Sequence, residues 1–196
     1  MSIILLDIGN VIVDVDFQRF CRSVARDRAS GAARIFERYC TSELKNRFDR
    51  GLVAPSDYLG LIAGDADTRS MSPGELKTAW QDIFIPKPEA GDAVRRLREN
   101  HTLWIMSDTD PLHVTFLFNR CQELKLAERY WFSFEHGHLK REKEAFQQVL
   151  AAAGRPAGEF ILIDDRQDNC RCAETCGIRT ILFRNWPEAL ERLKDL

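Results

Sequence analysis

Ile3-Ile4-Leu5-Leu6-Asp7-Ile8-Gly9-Asn10-Val11 opens the chain with an unbroken apolar run that ends in a carboxylate and a glycine-containing turn. A run with no polar alternation suits a strand buried on both faces, as in a parallel sheet covered by helices. Five segments read this way: residues 3–7, 103–107, 131–134, 160–164 and 180–183. Between them, apolar residues return at helical spacing: Ala90, Val94 and Leu97, then Phe146, Val149, Leu150 and Ala153 with Gly154 as a C-cap. Pro187 followed by Leu190 and Leu193 reads as a last amphipathic helix. Strands alternating with helices predict an α/β fold built on a parallel sheet.

Residues 16–84 differ in character, with no convincing strand and four helix-like stretches at 17–28, 32–45, 56–62 and 73–83. Ser30-Gly31, Gly51 with Pro55, and the segment 64–73 read as breakers, and Pro86 and Pro88 lead back to the sheet. The expected organisation is an α/β core of residues 1–15 and 85–196, with a small all-helical domain, residues 16–84, inserted after the first strand.

The 196 residues carry 28 Lys plus Arg against 30 Asp plus Glu, a net charge of -2, with 44% hydrophobic residues. Such a balance offers no basic stripe for nucleic acid and no polybasic patch for a membrane surface. The longest apolar runs fall far below the roughly 18 residues that span a bilayer. No secretory signal pattern is visible, so a cytoplasmic location is expected. A chain of this size needs no staples, and its six cysteines read as reduced thiols. Oligomeric state is not legible.

In open α/β sheets ligands bind beyond the carboxyl ends of the strands. Three candidate strands end in polar chemistry there: Asp7, Ser107 and the pair Asp164-Asp165. Taken singly, a strand-end Asp is often a turn or N-cap residue, and Ser107-Asp108-Thr109-Asp110 could be a capping segment. Adjacent acids repel and raise each other's pKa unless a cation is present. A hard divalent cation resolves that conflict, and Mg²⁺ is the usual choice beside phosphate. Asp7, Ser107, Lys140 and Asp164-Asp165 occur in that order along the chain.

On these residues the chain resembles the haloacid dehalogenase (HAD) superfamily. Asp7-Ile8-Gly9-Asn10-Val11 resembles its first motif, Ser107-Asp108-Thr109 its second, Gly137-His138-Leu139-Lys140 its third and Asp164-Asp165 its fourth. The Asp-x-Gly-Asn-Val form with an inserted helical cap is most similar to the α-D-glucose-1-phosphate phosphatase-like branch. The resemblance implies a Rossmann-like core and a phosphatase acting on a small phosphorylated metabolite, with a sugar phosphate the expected class. It implies that Asp7 is the nucleophile, forming a phospho-aspartate that water hydrolyses. Mg²⁺ would be held by Asp7, the Gly9 carbonyl, Asp164 and Asp165. Ser107 and Lys140 would contact the phosphoryl group, with Asp108 beside them.

Three positions depart from the pattern. Gly9 stands where most phosphatases of the superfamily carry an acid/base Asp, a group typically worth about 10²- to 10⁴-fold in rate. Asp108 replaces the usual Asn and adds a negative charge to a site where Asp7, Asp164 and Asp165 already balance Mg²⁺ plus Lys140. Arg141 replaces a common Pro and could offset Asp108, or Asp108 could point away as a loop residue. Gly9 and Asp108 keep open an alternative, a weak or inactive member that binds a phosphorylated ligand or a protein partner. A carbon–halogen hydrolase would leave Asp164-Asp165 without a purpose. His136 and His138 lack a third metal ligand nearby in sequence. Cys172 and Cys176 read as small buried thiols, and Trp80, Trp104, Trp131 and Trp186 as packing residues. Arg19, Arg22, Lys45, Arg47 and Arg50 are candidate substrate contacts in the insert, although solvated helix faces explain most such charges.

Overall fold

The computed structural model describes residues 1–28, 30–194 and 196. The chain forms β1 (Ile3–Leu6), a tight turn and the short β2 (Val13–Val15), then α1 (Phe17–Val24), α2 (Ser30–Tyr39), α3 (Glu43–Asp49), α4 (Pro55–Ala63) and α5 (Pro73–Gln81). It returns through β3 (Phe84–Pro86) to α6 (Ala90–Asn100), β4 (Thr102–Ser107), α7 (Pro111–Arg120), β5 (Arg129–Phe132), α8 (Ser133–His136) and α9 (Lys143–Ala153). β6 (Phe160–Asp164), α10 (Gln167–Thr175), β7 (Arg179–Leu182) and α11 (Trp186–Lys194) complete it.

The main sheet is parallel throughout, in the order β5-β4-β1-β6-β7. Because side chains alternate along a strand, each of its central strands feeds two cores. Ile4, Leu6, Ile105, Ile161 and Ile163 face one side, where α6, α7 and α11 contribute Val94, Leu97, Leu117 and Trp186. Ile3, Leu5, Trp104, Met106 and Leu162 face the other, against Phe146 and Val149 of α9 and Ala173 of α10. The expected α/β fold is therefore present, and the near-continuous apolar strands follow from burial on both faces.

Helices α1–α5 enclose a third apolar cluster, with Phe20, Phe48, Tyr58 and Trp80 fully buried. The insert joins the rest through an antiparallel ribbon in which Val13, Asp14 and Val15 pair with Pro86, Ile85 and Phe84. Phe84 thus lies in a strand, although residues 16–84 were expected to hold none.

Other boundaries also differ from expectation. The predicted strand 131–134 is β5, two residues earlier, because Ser133 leaves the ladder. Its hydroxyl instead accepts from Thr109 N (2.9 Å), and a single helical turn ends at Gly137, φ 79°. The predicted helix 32–45 is two helices, since Ser42 accepts from Lys45 N and starts α3 anew. Gly31 is not a breaker but lies inside α2. The stretch 17–28 stops at Val24 because Ala25 forms a bridge with Thr68, and the stretch 73–83 stops at Gln81. Sequence reading missed α7. Asp110-Pro111 is its signal: Asp110 accepts from Leu112 N and His113 N, and Pro111 takes the first helical position.

Gly51 closes the turn after α3 with φ 72°, and a Cβ there would stand 2.2 Å from the Phe134 carbonyl oxygen. Gly154 has a similar φ of 63° but open space around it. Gly154→Ala should therefore cost only the left-handed penalty, about 1 kcal/mol. Gly51→Ala should cost at least about twice that, because the seat of the insert on α8 must shift. Urea unfolding of the two variants checks the order.

Candidate active site

β4, β1 and β6 lie side by side, so their carboxyl ends bring Ser107, Asp7 and Asp164 together. Asp7 leaves β1 with its N–H still bonded to the Ile163 carbonyl (3.1 Å), and its Oδ1 accepts from Ile8 N (2.8 Å). Asp164 Oδ1 accepts from Arg166 N at 2.8 Å and from Asn169 Nδ2 at 3.0 Å. Between the two acids sits Lys140, 2% exposed, its Nζ donating to Asp164 Oδ2 at 2.5 Å and lying 2.7 Å from Asp7 Oδ1. Asp165 accepts from Asn10 Nδ2 at 2.9 Å.

Asp7, Asp164 and Asp165 each offer an oxygen, and these oxygens lie within 4.8 Å of one another. Three carboxylates against one ammonium leave a deficit of positive charge, and an all-oxygen donor set of this size fits a hard divalent cation such as Mg²⁺. The strain of their proximity shows in the acid–base chemistry. Burial pushes Asp7 up to about 7, Lys140 opposing and Asp164 and Asp165 adding to the rise. Burial works against the Lys140 ammonium, yet Asp164, Asp7 and Asp108 outweigh it and hold its pKa above the lysine range.

The turn after β1 is built around Asn10, whose φ of 55° is one that Asn tolerates better than most side chains. Its Oδ1 accepts from Val15 N (3.2 Å) while its Nδ2 reaches Asp165, and Lys87 Nζ caps its carbonyl at 2.8 Å. One side chain thus ties the β1 turn to the end of β6. Gly9 lines the cavity beside it; a Cβ there would stand 3.3 Å from Val15 Cγ2.

A cavity of about 350 Å³ opens above this floor, lined by Asp7, Ser107, Asp108, Lys140 and Asp165 below and by Phe17, Lys45 and Asp49 from the insert above. Ser107 is buried, and its hydroxyl has no protein partner among the described residues. Asp108 does not point away: its Oδ1 accepts from the Lys140 backbone N–H at 2.9 Å, which holds the loop that carries Lys140. Burial raises its pKa against the pull of Lys140, with Asp49 and Asp164 adding to the rise. Arg141 lies at the cavity edge.

Of the five cations in the insert singled out as substrate contacts, Lys45 lines the cavity and the others do not. Arg19 pairs with Asp82, Arg22 with Asp16, and Arg50 with Glu142 and Glu43. His136 stacks on Trp131 and His138 faces Glu142 at 3.7 Å, so neither joins the carboxylate group. Each cysteine is free, and Cys172 and Cys176 are half-buried rather than buried. Sequence reading did not single out Asp49, Lys87 or His113, and it named Asp110 only within a capping segment, a role Asp110 fills at the start of α7. Asp110 Oδ2 accepts from Trp80 Nε1 (3.2 Å) and meets His113 Nδ1 at 2.8 Å, and His113 Nε2 reaches the Trp80 carbonyl at 2.9 Å. These contacts dock α5 on α7. Among the described residues no helix is long and apolar enough to cross a membrane.

No protein-family model matches the chain. A D-ribitol-5-phosphate phosphatase from Bacteroides thetaiotaomicron is 21% identical over 189 residues, covering 93% of this chain and 91% of its own. A HAD family enzyme from the same organism, crystallised as an aspartate-to-alanine variant with magnesium and inorganic phosphate, superposes with a TM-score of 0.84 at 22% identity. That match covers 97% of this chain and 98% of the other. L-2-haloacid dehalogenase from Xanthobacter autotrophicus shares the fold at a TM-score of 0.67 and 16% identity, over 98% of this chain and 81% of its own. The chain thus shares its fold over nearly its whole length with HAD family enzymes, and the four sequence segments that resemble motifs of that family converge at the carboxyl edge of its sheet.

Proposed function

We propose that the protein is a Mg²⁺-dependent phosphatase that hydrolyses a small phosphorylated metabolite through a phospho-aspartate on Asp7. Residues 16–84 act as a cap over a core of residues 1–15 and 85–196. The observation that carries this reading is the contact of Lys140 with both Asp7 and Asp164, which cluster with Asp165 within 4.8 Å, oxygen to oxygen, at the floor of a cavity roofed by the insert.

Asp7, the Gly9 carbonyl, Asp164 and Asp165 would hold Mg²⁺, which neutralises charge on the carboxylates and the phosphoryl oxygens. Asp7 attacks phosphorus in line, forming the Asp7 O–P bond as the bond to the leaving oxygen breaks. Lys140 stays protonated and offsets charge on Asp7 and the phosphoryl group, while the Ser107 hydroxyl donates to a phosphoryl oxygen. Water then attacks phosphorus, releasing phosphate and restoring the Asp7 carboxylate. Gly9 supplies no proton to the departing alkoxide, which then takes one from water, and this favours leaving groups that need little help, a sugar 1-phosphate more than a simple alkyl phosphate. The polyol phosphate in the name of the curated relative supports a hydroxylated metabolite. The same Gly9 favours a second reading, a protein that binds such a ligand with little turnover.

With p-nitrophenyl phosphate, Asp7→Asn should fall to background and chelation should silence the wild type, with added Mg²⁺ restoring the wild type alone. Metal-dependent hydrolysis surviving in Asp7→Asn would overturn the reading, and robust wild-type turnover dismisses the binding-only alternative.

Asp108→Asn keeps the acceptor for Lys140 N–H and removes a negative charge, so orthovanadate should bind it more tightly, by about five- to tenfold, or about 1 kcal/mol. The sign fixes the pH range. The raised pKa leaves Asp108 neutral at low pH, where variant and wild type converge, and the gap opens as pH rises through that pKa. Equal affinities at every pH would show that Asp108 has no electrostatic role.

A further inference from the structure

Lys45 and Asp49 lie one turn apart on α3, and both line the cavity above Asp7, Ser107 and Lys140. The Lys45 side chain is only 9% exposed. Its ammonium donates to Asp49 Oδ1 and lies 4.0 Å from Asp110 Oδ2. The rings of Phe17, Phe48 and Trp80 surround it, with centroids at 5.7, 6.0 and 5.8 Å. Apolar residues of similar size in place of a buried ion pair are often as stable or more so. Stability alone therefore gives no reason for a charged pair in this apolar setting, whereas the open cavity beside it does.

A count of donors and acceptors specifies what the pair can take. The ammonium has three N–H groups, and among the described residues only Asp49 receives one at hydrogen-bond distance. Asp49 Oδ2 accepts from no described residue. Burial works against the Lys45 charge, but Asp49 and Asp110 outweigh it, so Lys45 remains a donor. Side by side, the pair presents N–H donors and carboxylate lone pairs to the cavity. Neighbouring hydroxyls, each able to donate and accept, satisfy both. A carboxylate or second phosphate would stand beside the Asp49 carboxylate and face Asp108 as well, so like charge opposes it. A purely apolar group would leave the remaining Lys45 N–H groups and Asp49 Oδ2 without a partner.

We infer that Lys45 and Asp49 form the leaving-group subsite, selecting phosphate esters of neutral polyhydroxy compounds. This rests on the phosphatase reading for its chemistry, and two kinds of probe separate the two. p-Nitrophenyl phosphate has a leaving group without hydroxyls, whereas pentitol and hexose phosphates are rich in them. In Lys45→Met and Asp49→Asn, kcat/KM on the best polyhydroxy ester should fall at least tenfold more than on p-nitrophenyl phosphate. Equal falls on both would mean that the pair merely supports α3, and would overturn the inference. Should Lys45→Met fail to fold by circular dichroism, Asp49→Asn carries the comparison alone.

A binding readout stands apart from turnover. In an Asp7→Asn background with Mg²⁺, the same ester should raise the unfolding midpoint more than inorganic phosphate does, and Asp49→Asn should abolish the excess. No excess, or an excess indifferent to Asp49→Asn, overturns the subsite. If the wild type hydrolyses neither kind of ester, the phosphatase reading fails, and the binding comparison still decides the subsite.

Discussion

The ammonium of Lys140, wedged between Asp7 and Asp164 beneath the cavity, is the interaction on which the rest of the site depends. Without it, two buried carboxylates would face each other unpaired, and breaking a buried pair in this way typically costs about 3–5 kcal/mol. With it, three clustered carboxylates still face one ammonium, and burial, with Asp164 and Asp165 adding to it, pushes Asp7 up to about 7. The protein therefore holds a site whose own charges do not balance. The deficit makes room for a divalent cation.

Keeping Lys140 in that position draws on three loops at once. Asp108 bonds the Lys140 backbone N–H, Asn169 and Arg166 N orient Asp164, and Asn10 links the β1 turn to Asp165. None of these contacts belongs to the sheet, yet each starts within a few residues of a strand end. The parallel sheet acts as a jig: its fixed strand spacing brings residues from positions 7, 107 and 164 to neighbouring places, and short polar contacts do the final alignment.

The insert is joined to this edge by more than its ribbon. Arg50 pairs with Glu142 on the loop after Lys140, and Trp80, Asp110 and His113 form a buried cluster between α5 and α7. Asp110 is fully buried, and burial raises its pKa, but His113 and Lys45 more than reverse that and leave it below the ordinary carboxylate range. Those contacts hold α3 over the cavity, so Lys45 and Asp49 line it rather than a solvated surface.

By itself the sequence determined the apolar strands, the helical character of the insert and the acids at the strand ends, because all three are local. A run such as Ile3 to Leu6 has the same meaning wherever it sits, and a carboxylate after it ends up at the edge of a sheet. Boundaries were less legible where a side chain chose a distant partner: Ser133 left its strand for Thr109, and Ser42 broke a helix that periodicity alone would continue. Tertiary structure alone decided the fate of individual charges. Arg19, Arg22, Lys45 and Arg50 are alike as residues of the insert, yet three face carboxylates outside the cavity and one is buried within it. The reason is physical. A charge takes its role from the dielectric around it and from partners far away in sequence, and neither exists until α3 and α5 have packed against the sheet domain.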